Sequence, residues 1–311
     1  MVIGIDHGNS QVKTSRTVFT SGITEHGTAK PPLPTDIIFY NGEYFTISSR
    51  REPYKRDKTK DEKCFIMTLF ALAKEIEDLN QYSAEEMDVT LAVGLPPEHI
   101  AKQKATFLEY FKNHGDLWSF TFNDKPFNIR ISNVFVFPQA YSAVAIRASK
   151  FKAFSSTYII DIGGYTVDTL LLTEGKPDLQ YCNSFELGII QMNNQIINRV
   201  NAELSLKIDD NHVRDALMGR PTALSEEVIQ FIKDSAAAHT LSLLEKLREV
   251  SVDLRANPSI FIGGGSLILK DMILESGFVN KDFVEFVPEV SANAIGYTAL
   301  ATGMLRKNSA Q

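Results

Sequence analysis

The stretch IIDIGGYTVDTLLL, residues 159–172, decides how this chain is read. An apolar run with the look of a buried strand is interrupted by Asp161, Gly163, Gly164 and Asp168. Glycine and aspartate are turn residues, so the plain reading is a tight hairpin. The stretch has a counterpart at the other end of the chain. IGIDHGNSQVK, residues 3–13, aligns with YIIDIGGYTVD, residues 158–168. Asp6 falls on Asp161, Gly8 on Gly163, Val12 on Val167 and Lys13 on Asp168. In each copy an acid ends an apolar strand and a second strand follows a short turn. A repeat about one domain length apart predicts two similar domains.

Composition agrees with that reading. The chain has 311 residues, enough for about two domains of ~150 residues. It is 44% hydrophobic and 23% charged, as soluble globular proteins are. The formal net charge of -6 gives no general reason for direct nucleic-acid binding. Cys64 and Cys182 lie far apart, outside any zinc or disulfide pattern, which fits a reducing cytoplasm. The N-terminus lacks the pattern of a signal peptide. No apolar run reaches the ~20 residues needed to cross a bilayer, so no membrane role is expected.

Along the first half, strands are expected at 2–5, at 11–19 as one run, and at 36–40 and 43–47 around the hairpin dipeptide Asn41-Gly42. PPLP (31–34) reads as a loop, and the charge-rich run 50–63 as an exposed, solvated loop with a filament contact as its alternative. Helical spacing predicts an amphipathic helix over 64–79 and another over 98–111. Strands are expected at 89–96 and 127–137, with Pro138 opening a helix at its favoured first position. The second half predicts a strand–turn–strand at 158–172, a turn at Gly175, and helices over 189–204, 210–218 and 224–250. A strand at 259–264, a helix starting at the glycine run, a strand at 284–288 and a helix over 291–305 complete it; KNSAQ (307–311) reads as a frayed tail. Strands alternating with helices give an α/β fold with covered sheets.

The repeated loops suggest a phosphate site. Glycines let backbone approach a ligand and leave amides pointing at it. Asn9, Ser10 and Thr166 add short polar donors. An acid at the strand end can hold water on a Mg²⁺ that bridges phosphates. SIFIGGGSLIL (259–269) runs from strand through three glycines towards a helix, where the amides of Gly264, Gly265 and Ser266 would favour an anion. Bland readings remain beside these. Lys13 could be a surface lysine, Asp168 a hairpin hydrogen-bond acceptor and His7 a turn residue. Gln139 could satisfy backbone donors at a helix start. The small residues after 139 and 291 could serve tight helix packing or a hinge.

Two such hairpins followed by a glycine-rich strand-to-helix turn resemble the actin-like ATPases, and among them the bacterial plasmid-segregation actins of the ParM/StbA family. The pieces IGIDHGNSQVK, DVTLAVGLPPEHI, FVFPQAYSAVA, IIDIGGYTVD, SFELGI, SIFIGGGSLIL and SANAIGYTALA occur in matching order. The resemblance implies an actin-like fold of two ribonuclease-H-like α/β domains around a nucleotide cleft, divided as 1–152 with 291–311, and 153–290. It implies Mg²⁺ held through water by Asp6 and Asp161. Gly8, Asn9 and Lys13 would contact phosphates from one domain; Gly163, Gly164 and Thr166 would do so from the other. Gln139 would orient the attacking water, in place of the Glu of better-known segregation actins. Gly264, Gly265 and Ser266 would line the adenosine side, with Gly188 at another cleft-facing turn. Tyr165 stands where a small residue is usual. The family uses Mg-ATP, some members also taking GTP, and polymerises into filaments of its own kind that depolymerise after hydrolysis. Its partner in segregation is a small basic DNA-binding adaptor at a plasmid centromere. A small-molecule kinase or a scaffold ATPase of the same superfamily stays open as the alternative.

Overall fold

The computed structural model describes residues 1–32, 36–55 and 57–309. Leu33 and Pro34 of the expected PPLP loop lie outside the described residues, as do the last two residues of the expected tail. The chain divides into two compact units, Met1–Arg147 with Ser291–Gln311, and Ala148–Val290.

The first unit begins with β1 (Val2–His7), β2 (Gln11–Lys13), β3 (Val18–Thr20), β4 (Ile23–Glu25), β5 (Ile37–Tyr40) and β6 (Glu43–Ile47). A one-turn helix at Lys58–Lys60 leads into α1 (Lys63–Asp78). Then come β7 (Met87–Leu95), α2 (Pro97–Lys112), β8 (Leu117–Phe122), β9 (Lys125–Pro138) and the short α3 (Tyr141–Ala145). Among the described residues these strands form one nine-stranded sheet in the order β3-β2-β1-β7-β9-β8-β5-β6-β4. Its centre, β1, β7 and β9, is parallel. Central parallel strands are covered on both faces, which is why β7 is apolar and buried along nearly its whole length. Ile3, Ile5, Val89, Val93 and Ile129 share one core with Phe65, Leu69, Leu72 and Ile76 of α1.

The second unit holds β10 (Ser156–Ile162), β11 (Val167–Thr173), β12 (Lys176–Phe185), α4 (Ile189–Leu204), α5 (Asp210–Leu217), α6 (Glu226–Glu249), β13 (Ser259–Ile262), α7 (Gly264–Ile268), α8 (Lys270–Glu275) and β14 (Val284–Phe286). Its five described strands run β12-β11-β10-β13-β14. Ile160, Ile162, Val167 and Phe261 pack with Met192, Ile196, Ile232 and Leu243 from the helices. The last element, α9 (Ala292–Ser309), belongs to the first unit. It lies close on β1: a Cβ added to Gly4 would sit 2.1 Å from the Ala294 carbonyl oxygen, and one on Gly296 would sit 1.9 Å from that of Ser142 in α3. The small residues of these two helices therefore serve close packing.

Four expectations need correction. The run 11–19 is two strands, because Thr14–Thr17 closes a turn (Thr14 N to Thr17 O, 2.9 Å) that Glu75 of α1 anchors at Thr14 Oγ1 and Arg16 N. Pro138 ends β9 instead of opening a helix. Its follower Gln139 donates its amide to Leu95 O at 2.8 Å, which prolongs strand pairing, and α3 starts only at Tyr141. The run 50–63 is not wholly a solvated loop, since Asp57 caps the one-turn helix and directs Lys58 inward. Residues 307–309 of the expected tail are helical. Among the described residues no helix is long and apolar enough to cross a membrane.

Candidate functional site

The two loops that repeat in sequence repeat in register. In the first unit Asp6 pairs with Lys13 and His7 with Val12. In the second, Asp161 pairs with Asp168 and Ile162 with Val167. Each first strand also pairs in parallel on its other side, β1 with β7 and β10 with β13. Asp161 is thereby flanked on both sides, by Asp168 and Ile262, whereas Asp6 lies one residue past the last β1–β7 pair, Ile5 with Val93.

The first hairpin gathers three polar side chains. Asp6 is buried, 4% exposed. Gln139 Nε2 donates to Asp6 Oδ1 at 3.1 Å, and Lys13 Nζ stands 3.9 Å from Asp6 Oδ2. Gln139 reaches Asp6 from the strand-to-helix joint, where Ala140 takes a positive φ of 63°. That is a strained conformation for a residue with a Cβ. It is held by Asn293 of α9, whose Oδ1 accepts the Ala140 amide at 3.0 Å. Gly8, Asn9 and Ser10 form the partly exposed tip.

His7 faces the other way, into the core. Its ring packs against Phe107 and Phe111 of α2. Thr68 Oγ1 gives its own hydrogen to Cys64 O, so His7 Nε2 donates to Thr68, at 2.8 Å. Burial first, and Lys58 second, push its pKa down to about 3. A neutral imidazole of that basicity is a poor general base near pH 7. Lys58 donates to the His7 carbonyl oxygen. Burial lowers the Lys58 pKa, only partly opposed by Cys64 and Asp6. Sequence reading missed this lysine. Nothing in a run of alternating Lys and Asp marks one member as inward; the only local hint is the Asp57–Thr59 cap that starts a turn.

The second hairpin is backed differently. The amides of Gly188, Ile189 and Ile190, at the start of the sixteen-residue α4, donate to the carbonyls of Tyr165 (2.9 Å), Gly163 (3.2 Å) and Gly164 (2.7 Å). In a trans peptide C=O and the following N–H point in opposite directions. The amides of Gly164, Tyr165 and Thr166 therefore point away from the helix. Gly188 is buried in this contact, where a Cβ would lie 2.5 Å from Tyr165 C. It packs the loop and is not itself an open surface. Tyr165 turns its hydroxyl to Glu186 at 3.5 Å, at the protein surface. Thr166 Oγ1 donates to Asp168 Oδ2 at 3.0 Å.

The glycine run splits into different tasks. Gly263 has φ of 85°, and a Cβ there would meet Asp161 Oδ1 at 2.5 Å. Only glycine leaves room for that carboxylate. Gly264 is open, with nothing within 4 Å of an added Cβ, whereas Gly265 is buried against Ile162 and Ile189. Ser266 is fully buried, and both its amide and its hydroxyl donate to Gly263 O. That leaves Ser266 no donor to offer a ligand. The helix that follows is five residues long, too short to supply a helix-terminus field.

Comparison with known proteins agrees with this geometry. Residues 4–141 match the family described as actin like proteins N terminal domain. Residues 159–275 match archaeal actin homologue MreB-like, C-terminal. No curated protein sequence matches the chain. Among solved structures, the archaeal actin homolog Ta0583 in complex with ADP superposes with a TM-score of 0.73 at 16% identity, covering 97% of this chain and 99% of that one. A fifteen-stranded ParM filament from Clostridium botulinum gives 0.74 at 17%, over 97% and 99%. The actin-like protein Alp7A gives 0.73 at 14%, over the whole of both chains. With two α/β units and an acid-tipped hairpin in each, the chain has the actin-like two-domain fold, and its two units each contain a stretch that matches an actin-like family model.

Proposed function

We propose that the protein is an ATPase that assembles into filaments when it binds Mg-ATP and disassembles after hydrolysis. The observation that carries this reading is the pair of hairpins in one register, each with a buried acid at its strand end. Gly8, Asn9 and Lys13, and Gly163, Gly164 and Thr166, are the phosphate-binding residues. The loop amides beyond the α4 backing point outward, as phosphate binding requires. The donor set suits Mg²⁺. Among the described residues no group of three or more His, Cys, Asp or Glu could cage a metal. Mg²⁺ keeps its waters and needs only one or two carboxylates beside the phosphates. Asp6 and Asp161 are those carboxylates, and the ion would supply charge neutralisation at the phosphates. Gln139, held against Asp6, orients the attacking water.

The ADP-bound archaeal homolog and the ParM filament among the structural neighbours support nucleotide binding and self-assembly. We extend the reading to plasmid DNA segregation in the cytoplasm, through a small basic DNA-binding adaptor. Filament assembly is tested by light scattering on addition of Mg-ATP. The signal should rise steeply above a critical protein concentration and fall as ATP is consumed. A flat trace at high protein concentration, with no filaments by electron microscopy, would remove the assembly half of the proposal. ATP turnover measured in the same samples tests the other half.

A further inference from the structure

The charge-rich segment at 50–63 is not absorbed by the function above, yet it sends one side chain to the first hairpin. Lys58 Nζ donates to His7 O, the carbonyl of the peptide that joins the end of β1 to Gly8. Its position is held from several sides. Asp57 Oδ1 accepts from Thr59 N (3.0 Å) and Thr59 Oγ1 (2.7 Å), which closes the turn carrying Lys58. Asp61, just beyond, receives Lys55 and the Lys63 amide, and its carbonyl accepts from Tyr110 of α2 at 2.9 Å. The turn is thus pinned to α2, which also packs on His7.

A peptide plane has two ends. With the His7 carbonyl drawn towards Lys58, the Gly8 N–H must point the opposite way. Among the described residues that amide has no hydrogen-bond acceptor, whereas its counterpart at Gly163 is used by the turn, donating to Thr166 O at 2.9 Å. A donor bound to a carbonyl also polarises its peptide and strengthens the N–H at the far end. We propose that Lys58 is a positioning residue for nucleotide binding: it fixes the His7–Gly8 peptide so that the Gly8 amide is presented to a phosphate oxygen. This rests on the reading of the first hairpin as a phosphate loop. It makes the segment around residue 58 a part of the site, acting through the backbone and not by touching the ligand.

The test uses the full chain and fluorescent ATP. Lys58→Met should bind ATP about tenfold more weakly, the effect expected of one lost charge-assisted backbone contact. Lys58→Arg, which keeps a donor, should recover most of the affinity. Thermal unfolding of both without nucleotide should stay near wild type, which separates positioning from a fold-wide role. In the wild-type protein the Gly8 amide resonance should move downfield on adding ATP, and Lys58→Met should shift it upfield before any ATP is added. Wild-type affinity in Lys58→Met overturns the proposal. So does a Gly8 amide in the wild type that ignores bound ATP, a result that does not depend on whether the methionine variant folds. Wild-type protein that binds no nucleotide would overturn the underlying reading as well, so the two failures are distinguishable.

Discussion

The two hairpins share a register but carry opposite charge. Asp6 stands across from a lysine, Lys13, with Lys58 behind the same strand end. Asp161 stands across from a second aspartate, Asp168, and both are buried. Directly opposed residues share a face of the sheet, and like charges there are unfavourable unless something offsets them. The backing differs too. A helix N-terminus holds the carbonyls of the second loop, while a lysine side chain holds that of the first. A duplicated backbone motif thus carries an acid–base pair at one end and an acid–acid pair at the other.

The sharpest way to break this comparison is to remove each acid in turn. Asp161→Ala should lower ATP turnover by about 10²–10³-fold, the scale for losing one preorganised electrostatic group. Asp6→Ala should lower it less, because Lys13 already offsets that carboxylate. Equal losses in steady-state assays would dissolve the distinction between the ends. Next in size is Gln139→Ala, expected to lower kcat by about 10²-fold, the lower range for a positioned polar catalyst. Its ATP affinity should stay close to wild type; if affinity falls as far as kcat, Gln139 binds and does not orient water. Gly263→Ala should follow, destabilising the second unit by about 1–3 kcal/mol for a Cβ in the glycine-only region at φ 85° and ψ 159°, and more where it meets Asp161 Oδ1. Denaturant unfolding measures the loss, and an unchanged midpoint would mean that the Asp161 carboxylate moves aside freely.

Much of the second hairpin was legible because its information is local. An acid, two glycines and flanking β-branched residues specify a tight turn with little help from the rest of the chain, and the structure follows it residue by residue. Around the first hairpin, what the sequence hid comes from distant segments. Ala140 at positive φ cannot be foreseen, since alanine is a poor choice there and Asn293, far along the chain, holds it. Pro138 looked like a helix start because proline favours that position. Its location at the end of β9 follows from pairing with Leu95, a long-range fact. Lys58 was invisible for the same reason: its partner is a backbone oxygen fifty-one residues away. The glycine run misled in another way. Three glycines suggest one shared purpose, yet only Gly264 is open, while Gly263 and Gly265 make room for neighbours.

The smallest effect expected bears on how the second loop is backed. His239 of α6 is buried, and its Nε2 donates to the Leu187 carbonyl at 3.0 Å, directly before the Gly188 that supports the loop. Burial pushes its pKa below the usual 6.5, only partly countered by that bond. Above about pH 6.5 the residue is neutral in folded and unfolded chains alike and adds no pH dependence. As pH falls below that value, the unfolded chain takes up a proton that the folded chain refuses. The second unit should therefore lose stability on acidification, by at most about 1.4 kcal/mol per pH unit from this residue. His239→Gln keeps a donor for Leu187 O but does not titrate, so its urea midpoint should fall less than wild type between about pH 7 and 5.5. Parallel midpoints for wild type and His239→Gln would mean that this histidine takes up its proton without disturbing the fold, and that the second loop's support comes from the α4 amides alone.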